Sequence, residues 1–412
     1  TAYRRQRQMC IRDRCIGISV VTSIYNKSVY LDDYFKSLMN QSFKNFEVIC
    51  VEDCSTDDSM EHLNRLVFNK PQFAVIKNEV NSGLSVSRNK AINMCKGKYV
   101  CFLDADDCFR PDALEKLWNV AEKYELDGVL FSASEYSENL KKKLRSIQYK
   151  ASYPICDGRT IISLLHKNNE YSSACGFQLW NVQYLKNINA SFYPGIVYED
   201  TLFTLKTLLK AKKVTAIPDN IYIYRKCQDS ISHSLGIKQL KSCLIIYEAL
   251  RNFEKQYIHD ELVYFEIHER LLLFEKRIQH IICTEQDKIK DLVLDENNSK
   301  ILKPFLETIS FPYIREFSDE EKENIKKASD VYVFGDGIIA EEAMALLKKE
   351  NISIKAIIVS NLSSNIWKGY SVISIDDFCD RGMVIISVTP KWRKSIEDKL
   401  KENGNETIFI TK

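Results

Sequence analysis

The 412-residue chain has no apolar run near the roughly 18 residues that a membrane-crossing helix needs; its apolar stretches, such as Ile18–Val21 and Val384–Val388, are strand-sized. No C-x-x-C pair occurs among its 13 irregularly spaced cysteines. Most of them lie in apolar contexts such as Val48-Ile49-Cys50-Val51 and Val100-Cys101-Phe102, which excludes a disulfide framework or a thiolate zinc site and fits reduced, buried thiols. No internal repeat or low-complexity tract is visible. An excess of charge is missing too: 58 basic and 56 acidic side chains give a formal +2. Residues 1–15 hold five arginines and one aspartate, which is +4, so the remainder stands at −2 and lacks the basic body of a nucleic-acid binder. That leader also lacks the apolar core of a signal peptide. It reads as a disordered or non-native extension, or as a basic arm for anionic lipid.

What is present suits a globular protein: 45% hydrophobic, 11% aromatic and 28% charged residues. At roughly 100–200 residues per domain, two to four domains are expected. From Ile16 onward, strand-like and helix-like segments alternate. Ile18–Val21 precedes a helix with Leu31, Phe35, Leu38 and Met39 at helical spacing; strand Phe46–Val51 precedes helix Thr56–Phe68; strand Phe73–Ile76 precedes helix Leu84–Cys95; strand Lys98–Leu103 precedes helix Pro111–Tyr124. Such alternation predicts a mostly parallel sheet flanked by helices, with ligands bound at the strand-end loops of one edge. Residues 131–235 are more mixed, with a helix at Asp200–Lys212 and a strand at Asn220–Arg225. Residues 236–318 read as helical, and a second βαβ pattern follows: strand Val331–Phe334, helix Ile338–Glu350, and strands Ile354–Val359 and Met383–Val388.

Four constellations carry chemistry. In Cys101-Phe-Leu-Asp104-Ala-Asp106-Asp107, side chains two apart on an extended segment point the same way, so Asp104 and Asp106 can converge on a hard cation such as Mg²⁺ or Mn²⁺; the bland alternative is a solvated acidic turn before the helix at Pro111. In Glu52-Asp53-Cys54-Ser55-Thr56, Asp53 could accept from a nucleobase or ribose, while Ser55 or Thr56 caps the next helix. Asn81-Ser82-Gly83-Leu84 is a glycine turn that opens a helix and offers backbone N–H groups, and Arg88 adds a charge suited to a diphosphate; otherwise this is a plain loop with an exposed arginine. In Tyr198-Glu199-Asp200-Thr201, Asp200 is either a helix cap or a base held ionised by the helix dipole.

In this order and spacing, ISVVTSIYN, FEVICVEDCSTDDS, NSGLSVSRNKAI, GKYVCFLDADDCFRPDAL and YEDTLF resemble glycosyltransferase family 2; ACGFQLWNVQYL and YIYRKCQDSIS are similar to segments of its bacterial members. The resemblance covers about residues 16–235. It implies an inverting, metal-dependent enzyme of the type-A glycosyltransferase fold that uses a nucleotide-sugar, typically UDP-linked. It further implies that Thr22 and Tyr25 line the nucleotide pocket, Asp53 reads the base, and Arg88 approaches the ribose or diphosphate. Asp104 would touch the ribose or sugar, Asp106 would bind Mn²⁺ or Mg²⁺, and Asp200 would be the catalytic base. Glu199 would orient that base, and Arg225, Ser230, Ser232 and His233 would close over the diphosphate, His233 also as a third metal ligand. Acceptor choice would lie with Tyr136–Tyr153 and Glu170–Trp180, which makes Trp180 an acceptor-site candidate. The chain departs from the family in having Thr22-Ser23-Ile24 where a proline is frequent, Cys54 where glycine is usual, and Cys227 where a basic or polar residue is common.

Gly335-Asp336-Gly337-Ile338 follows a strand and opens a helix like a dinucleotide-binding turn. Asp336 would face a pyrophosphate, however, and the next strand ends in Val359-Ser360-Asn361 without a ribose-binding acid. The expected organisation is therefore a leader at 1–15, a catalytic domain at 16–235, a helical linker at 236–318 and a Rossmann-like accessory domain at 319–412. The expected reaction is hexosyl or N-acetylhexosaminyl transfer to a saccharide or lipid-linked saccharide of a bacterial surface polysaccharide or glycoconjugate. The place expected for it is the cytoplasm, at most peripherally on the inner membrane face, with oligomers open and no nucleic-acid partner. A nucleotidyltransferase would want a glycine-rich basic loop after the first strand, and Ile24-Tyr25-Asn26-Lys27 is not one. A non-catalytic binding module would have no need of Asp53, Asp104, Asp106 and Asp200 together.

Overall fold

The computed structural model describes residues 16–147, 149–227, 236–285, 289, 296–307, 314–335, 337–360, 366–367, 369–388 and 393–411. The chain divides into two compact units, Thr1–Ser234 with Glu248–Leu271, and Leu235–Tyr247 with Leu272–Lys412.

The strands of the first unit are β1 (Ile18–Ile24), β2 (Phe46–Glu52), β3 (Phe73–Lys77), β4 (Tyr99–Phe102), β5 (Cys108–Phe109), β6 (Gly128–Ser137), β7 (Lys143–Ile147), β8 (Gln178–Asn181) and β9 (Val214–Lys226). They form one sheet in the order β3-β2-β1-β4-β8-β6-β9-β5, with β7 attached to β6. Strands β3, β2, β1 and β4 run parallel, β8 runs antiparallel to both β4 and β6, and β6 pairs parallel with β9. All seven residues of β2 are buried, as in a parallel sheet covered on both faces, with the apolar Val48–Val51 flanked by Glu47 and Glu52. The helices are α1 (Leu31–Met39), α2 (Ser59–Val67), α3 (Leu84–Met94), α4 (Ala113–Tyr124), α5 (Gly158–Lys167), α6 (Val182–Asn187) and α7 (Asp200–Lys210). The expected alternation is thus present. On α1 the buried stripe is Leu31, Tyr34 and Leu38 rather than the expected set with Phe35 and Met39; the Tyr34 hydroxyl makes burial tolerable by donating to Thr22 Oγ1 at 2.8 Å.

The parallel strands end on one edge, and the segments after β1, β2 and β4 carry Tyr25–Lys27, Asp53 and Asp104–Asp107 there. The segment Tyr136–Tyr153, expected as a variable loop, instead contains the β6–β7 hairpin.

Helices α8 (Ile237–Gln256) and α9 (Tyr264–Thr284) each contribute to both units; α10 (Glu296–Glu307) lies in the second. The second unit holds α11 (Asp319–Lys327), β10 (Val331–Phe334), α12 (Ile338–Lys349), β11 (Ala356–Val359), β12 (Ile366–Trp367), β13 (Tyr370–Ser374), β14 (Met383–Ile386), α13 (Arg393–Glu402) and β15 (Glu406–Phe409). Its sheet order is β12-β13-β11-β10-β14-β15, parallel except for the β12–β13 pair. Ser318 and Glu321 form a reciprocal capping box at the start of α11. Both units are α/β, as the sequence pattern predicts. Among the described residues, no helix is long and apolar enough to cross a membrane.

Candidate active site

The turn after β4 is pinned from behind by β9. Asp107 is buried and accepts from the Tyr222 hydroxyl at 2.6 Å and the Arg225 N–H at 2.7 Å; burial and the adjacent Asp106 and Asp104 push its pKa well above the carboxylate range. Arg225 donates through Nε to the Asp106 carbonyl at 2.7 Å, through Nη2 to Asp33 at 2.8 Å and through Nη1 to the Glu138 carbonyl. Thus Arg225 fixes the backbone of the turn, and its buried, fully engaged guanidinium does not serve as the lid expected of it. Held this way, the side chains of Asp104 and Asp106 keep 42% and 20% of their surface exposed. Asp104 Oδ1 takes Arg88 Nη2 at 2.9 Å, and Asp106 Oδ2 takes Lys27 Nζ at 2.5 Å. The other oxygen of each carboxylate has no hydrogen bond from a described residue. Two hard anionic oxygens on one exposed turn fit the donor set of Mg²⁺ or Mn²⁺.

Arg88 occupies the centre of the site. The sequence suggested a charge reaching for a diphosphate; the structure corrects this, because the α3 position points inward and the guanidinium is buried. It joins three carboxylates: Asp104, Glu199 at 2.8 Å and Asp200 at 3.0 Å. Behind it stand the rings of Phe102 and Phe192, with centroids 5.9 and 5.2 Å from the guanidinium carbon. Asp200 opens α7, and its second oxygen accepts the Cys175 N–H at 3.0 Å. Glu199 is buried beside it; desolvation and the Asp200 charge, outweighing Arg88, raise its pKa to about 7. Tyr198 precedes the pair with φ of +65°, a left-handed conformation that a bulky side chain adopts only under constraint from its surroundings.

Asp53 is likewise committed to the protein. Its Oδ1 accepts from Asn78 Nδ2 at 2.7 Å and the Ser82 N–H at 2.8 Å, and its Oδ2 accepts from the Gly83 N–H at 2.7 Å. The Asn81-Ser82-Gly83 turn therefore spends two of its N–H groups on Asp53 rather than offering them to a phosphate. Gly83 has φ of +84°, which accounts for glycine there. The same logic applies at Cys54, where φ is +62°: glycine is the comfortable residue, and cysteine tolerates the strain. Thr22 is buried with its hydroxyl on Tyr34, which removes it from a pocket lining, whereas Tyr25 is 42% exposed at the edge. Trp180 is a correction: on β8, with 0% exposure and Nε1 donating to Gln178 at 2.9 Å, it is core and cannot meet an acceptor. Ser230, Ser232 and His233 lie outside the described residues.

Two participants escaped the sequence reading. Lys27 carries no signal in the sequence beyond following the first strand, and nothing there separates Asp107 from its acidic neighbours. Elsewhere, His166, Glu266 and Glu269 bring three ligand atoms within 4.8 Å of one another, but Glu266 already accepts from Arg270 and His166 as part of an ion-pair network.

Residues 19–186 match the family model described as glycosyl transferase family 2. The uncharacterized glycosyltransferase YibD of Escherichia coli K12 is 24% identical over 277 residues, covering 66% of this chain and 80% of that protein. The poly(ribitol-phosphate) beta-glucosyltransferase of Bacillus spizizenii is 29% identical over 211 residues, 50% of this chain but only 32% of that relative. Among solved structures, S. aureus TarS 1-349 in complex with UDP-GlcNAc aligns at a TM-score of 0.54 and 22% identity, over 71% of this chain and 82% of that one. The last likeness establishes the type-A glycosyltransferase architecture of the sheet and its flanking helices.

Proposed function

We propose that this chain, whose residues 19–186 match the model of glycosyltransferase family 2, transfers a sugar with inversion from a UDP-linked donor to a saccharide hydroxyl. The acceptor would belong to a bacterial surface polysaccharide or glycoconjugate, free or lipid-linked, in line with the names of relatives such as the poly(ribitol-phosphate) transferase. One observation carries the reading: the Asp104 carboxylate, from the turn after β4, and the Asp200 carboxylate, at the start of α7, meet on the single guanidinium of Arg88.

On this reading the donor's diphosphate lies over the turn after β4, where Asp104 and Asp106 would hold Mn²⁺ or Mg²⁺, a charge that would offset the one developing on the departing nucleoside diphosphate. Asp200 accepts the acceptor proton as the hydroxyl oxygen attacks the anomeric carbon, which is needed because a sugar hydroxyl is far too weak an acid to ionise near neutrality. Arg88 and the Cys175 N–H fix one oxygen each and leave the remaining lone pairs of Asp200 for that proton. Glu199, its pKa raised to about 7 by burial and the Asp200 charge, takes up a proton as the pH falls through neutrality and orients Asp200 through their shared Arg88. Tyr25 flanks the base side, and Asp53 shapes the loop beside it rather than reading the base.

The test is a transfer assay over a panel of UDP-sugars and oligosaccharide acceptors, with anomeric configuration read by NMR. Asp200→Asn should abolish transfer while leaving donor binding intact, and Asp106→Asn should weaken donor binding. A retained anomeric configuration, or full activity in Asp200→Asn, would sink the proposal.

A further inference from the structure

Among the described residues, Arg88, Arg225 and Lys27 bring positive charge to the turn after β4, and they differ in freedom. Arg88 and Arg225 have side chains only 4% exposed, and each is held by several bonds. Lys27 is different. Its side chain is 33% exposed, and its ammonium is bonded to Asp106 Oδ2 and lies 5.6 Å from the centroid of the Tyr30 ring.

The backbone that carries Lys27 is nonetheless fixed. Asn26 sits at φ of +52°, a conformation asparagine tolerates. Its Oδ1 accepts the Thr56 N–H at 2.8 Å, and its Nδ2 donates to Thr56 Oγ1 at 3.1 Å. The Lys27 N–H donates to Ser59 Oγ at 2.9 Å, and the Ser28 N–H to Asp57 at 3.2 Å. A firmly held backbone with a partly exposed charged tip is thereby aimed at a residue 79 positions further along the chain.

We propose that Lys27 is the resident counter-ion of Asp106: a divalent cation must displace it, and the displaced ammonium moves to the diphosphate that arrives with the cation. The inference rests on the reading of Asp104 and Asp106 as the cation site. An ammonium and a divalent ion cannot share contact with Asp106 Oδ2 without strong repulsion, so each weakens the other's hold. Asp104, the other carboxylate acting on the ammonium, would be engaged by the same cation and so offers it no replacement partner. A diphosphate does. Cation and nucleotide then bind cooperatively, and by thermodynamic linkage the coupling is the same in either order.

Mn²⁺ titration of the full chain, followed by the electron paramagnetic resonance signal of free Mn²⁺, reads this directly. Without nucleotide, Lys27→Met should bind Mn²⁺ roughly five- to tenfold more tightly than the parent, as loss of a half-exposed ion pair implies, while Lys27→Arg should stay near the parent. Saturating UDP should raise Mn²⁺ affinity strongly in the parent and much less in Lys27→Met. Asp106→Asn should lose the site in every background. Equal Mn²⁺ affinity in parent and Lys27→Met, with the site still abolished by Asp106→Asn, would overturn the role of Lys27 alone. Mn²⁺ binding indifferent to Asp106→Asn would overturn the cation-site reading and the counter-ion with it. Lys27→Gln, with a matched melting curve, guards against a misfolded variant.

Discussion

Removing the charge of Glu199 should stabilise the protein, against the usual outcome for a buried, ion-paired residue. Its carboxyl is 7% exposed, lies beside Asp200 and shares the Arg88 guanidinium with it. Desolvation and the Asp200 charge raise the pKa from an ordinary 4.5 to about 7. A raised folded-state pKa means that the native chain holds a proton which the unfolded chain has already released. Stability therefore falls as pH climbs from about 4.5 to about 7 and stays lowered above that window. At 1.36 kcal/mol per pH unit, the full penalty above pH 7 is of the order of 3 kcal/mol. Glu199→Gln has no proton to lose, and Arg88 keeps two carboxylates. The variant should therefore melt several degrees above the parent at pH 8, by roughly 2–4 °C per kcal/mol, and approach it at pH 5. The assay is a pair of thermal or urea denaturation series from pH 5 to 8, compared as differences so that other titrating groups cancel. A Glu199→Gln variant less stable than the parent by the same amount at every pH would refute the reasoning, since it would show that the ion pair with Arg88 outweighs burial.

Other expectations follow from the same geometry. Arg88→Ala strands three carboxylates around a buried void and should cost about 3–5 kcal/mol, with Glu199→Gln restoring part of the loss in the double variant. Denaturant unfolding of the four proteins decides this, and additive effects would argue against a shared clamp. Cys54→Gly should stabilise by up to about 1 kcal/mol, because relief of a left-handed cysteine slightly exceeds the entropy that glycine costs. Gly128→Ala should destabilise strongly, since an added Cβ would lie 2.5 Å from the Trp180 ring, and Trp180→Phe should rescue part of that loss without changing nucleotide binding measured by calorimetry.

Much of the fold was legible because burial on both sheet faces writes β1, β2 and β4 as short segments rich in Val, Ile and aromatic residues, and helical stripes alternate with them. Acidic side chains at the ends of such strands, as at Asp104 and Asp106, were legible for the same reason: ligands meet α/β sheets at that edge. The clamp was not. Arg88 meets Glu199 and Asp200 across 111 and 112 positions, and local sequence around an arginine is silent about whether its helix face turns inward. Asp53 and Ser82 pair across 29 positions, so a residue that reads as a free ligand group is instead consumed by its own loop. Trp180 misled because a tryptophan after a mixed segment looks exposed until β8 inserts antiparallel between β4 and β6 and buries it. Tyr34 was passed over for Phe35 because a hydroxyl hides apolar character unless its partner, here Thr22, is known.

The most direct test of the central claim is a thermal-shift comparison of UDP, GDP, CMP and NAD, each with and without Mn²⁺, on the parent and on Asp106→Ala. A ligand specific to the folded state adds about 2.7 kcal/mol at a hundred times its dissociation constant, well within detection. The account predicts stabilisation by UDP that requires Mn²⁺ and vanishes in Asp106→Ala. Stabilisation by NAD alone, or by UDP equally without Mn²⁺ and in Asp106→Ala, would contradict it.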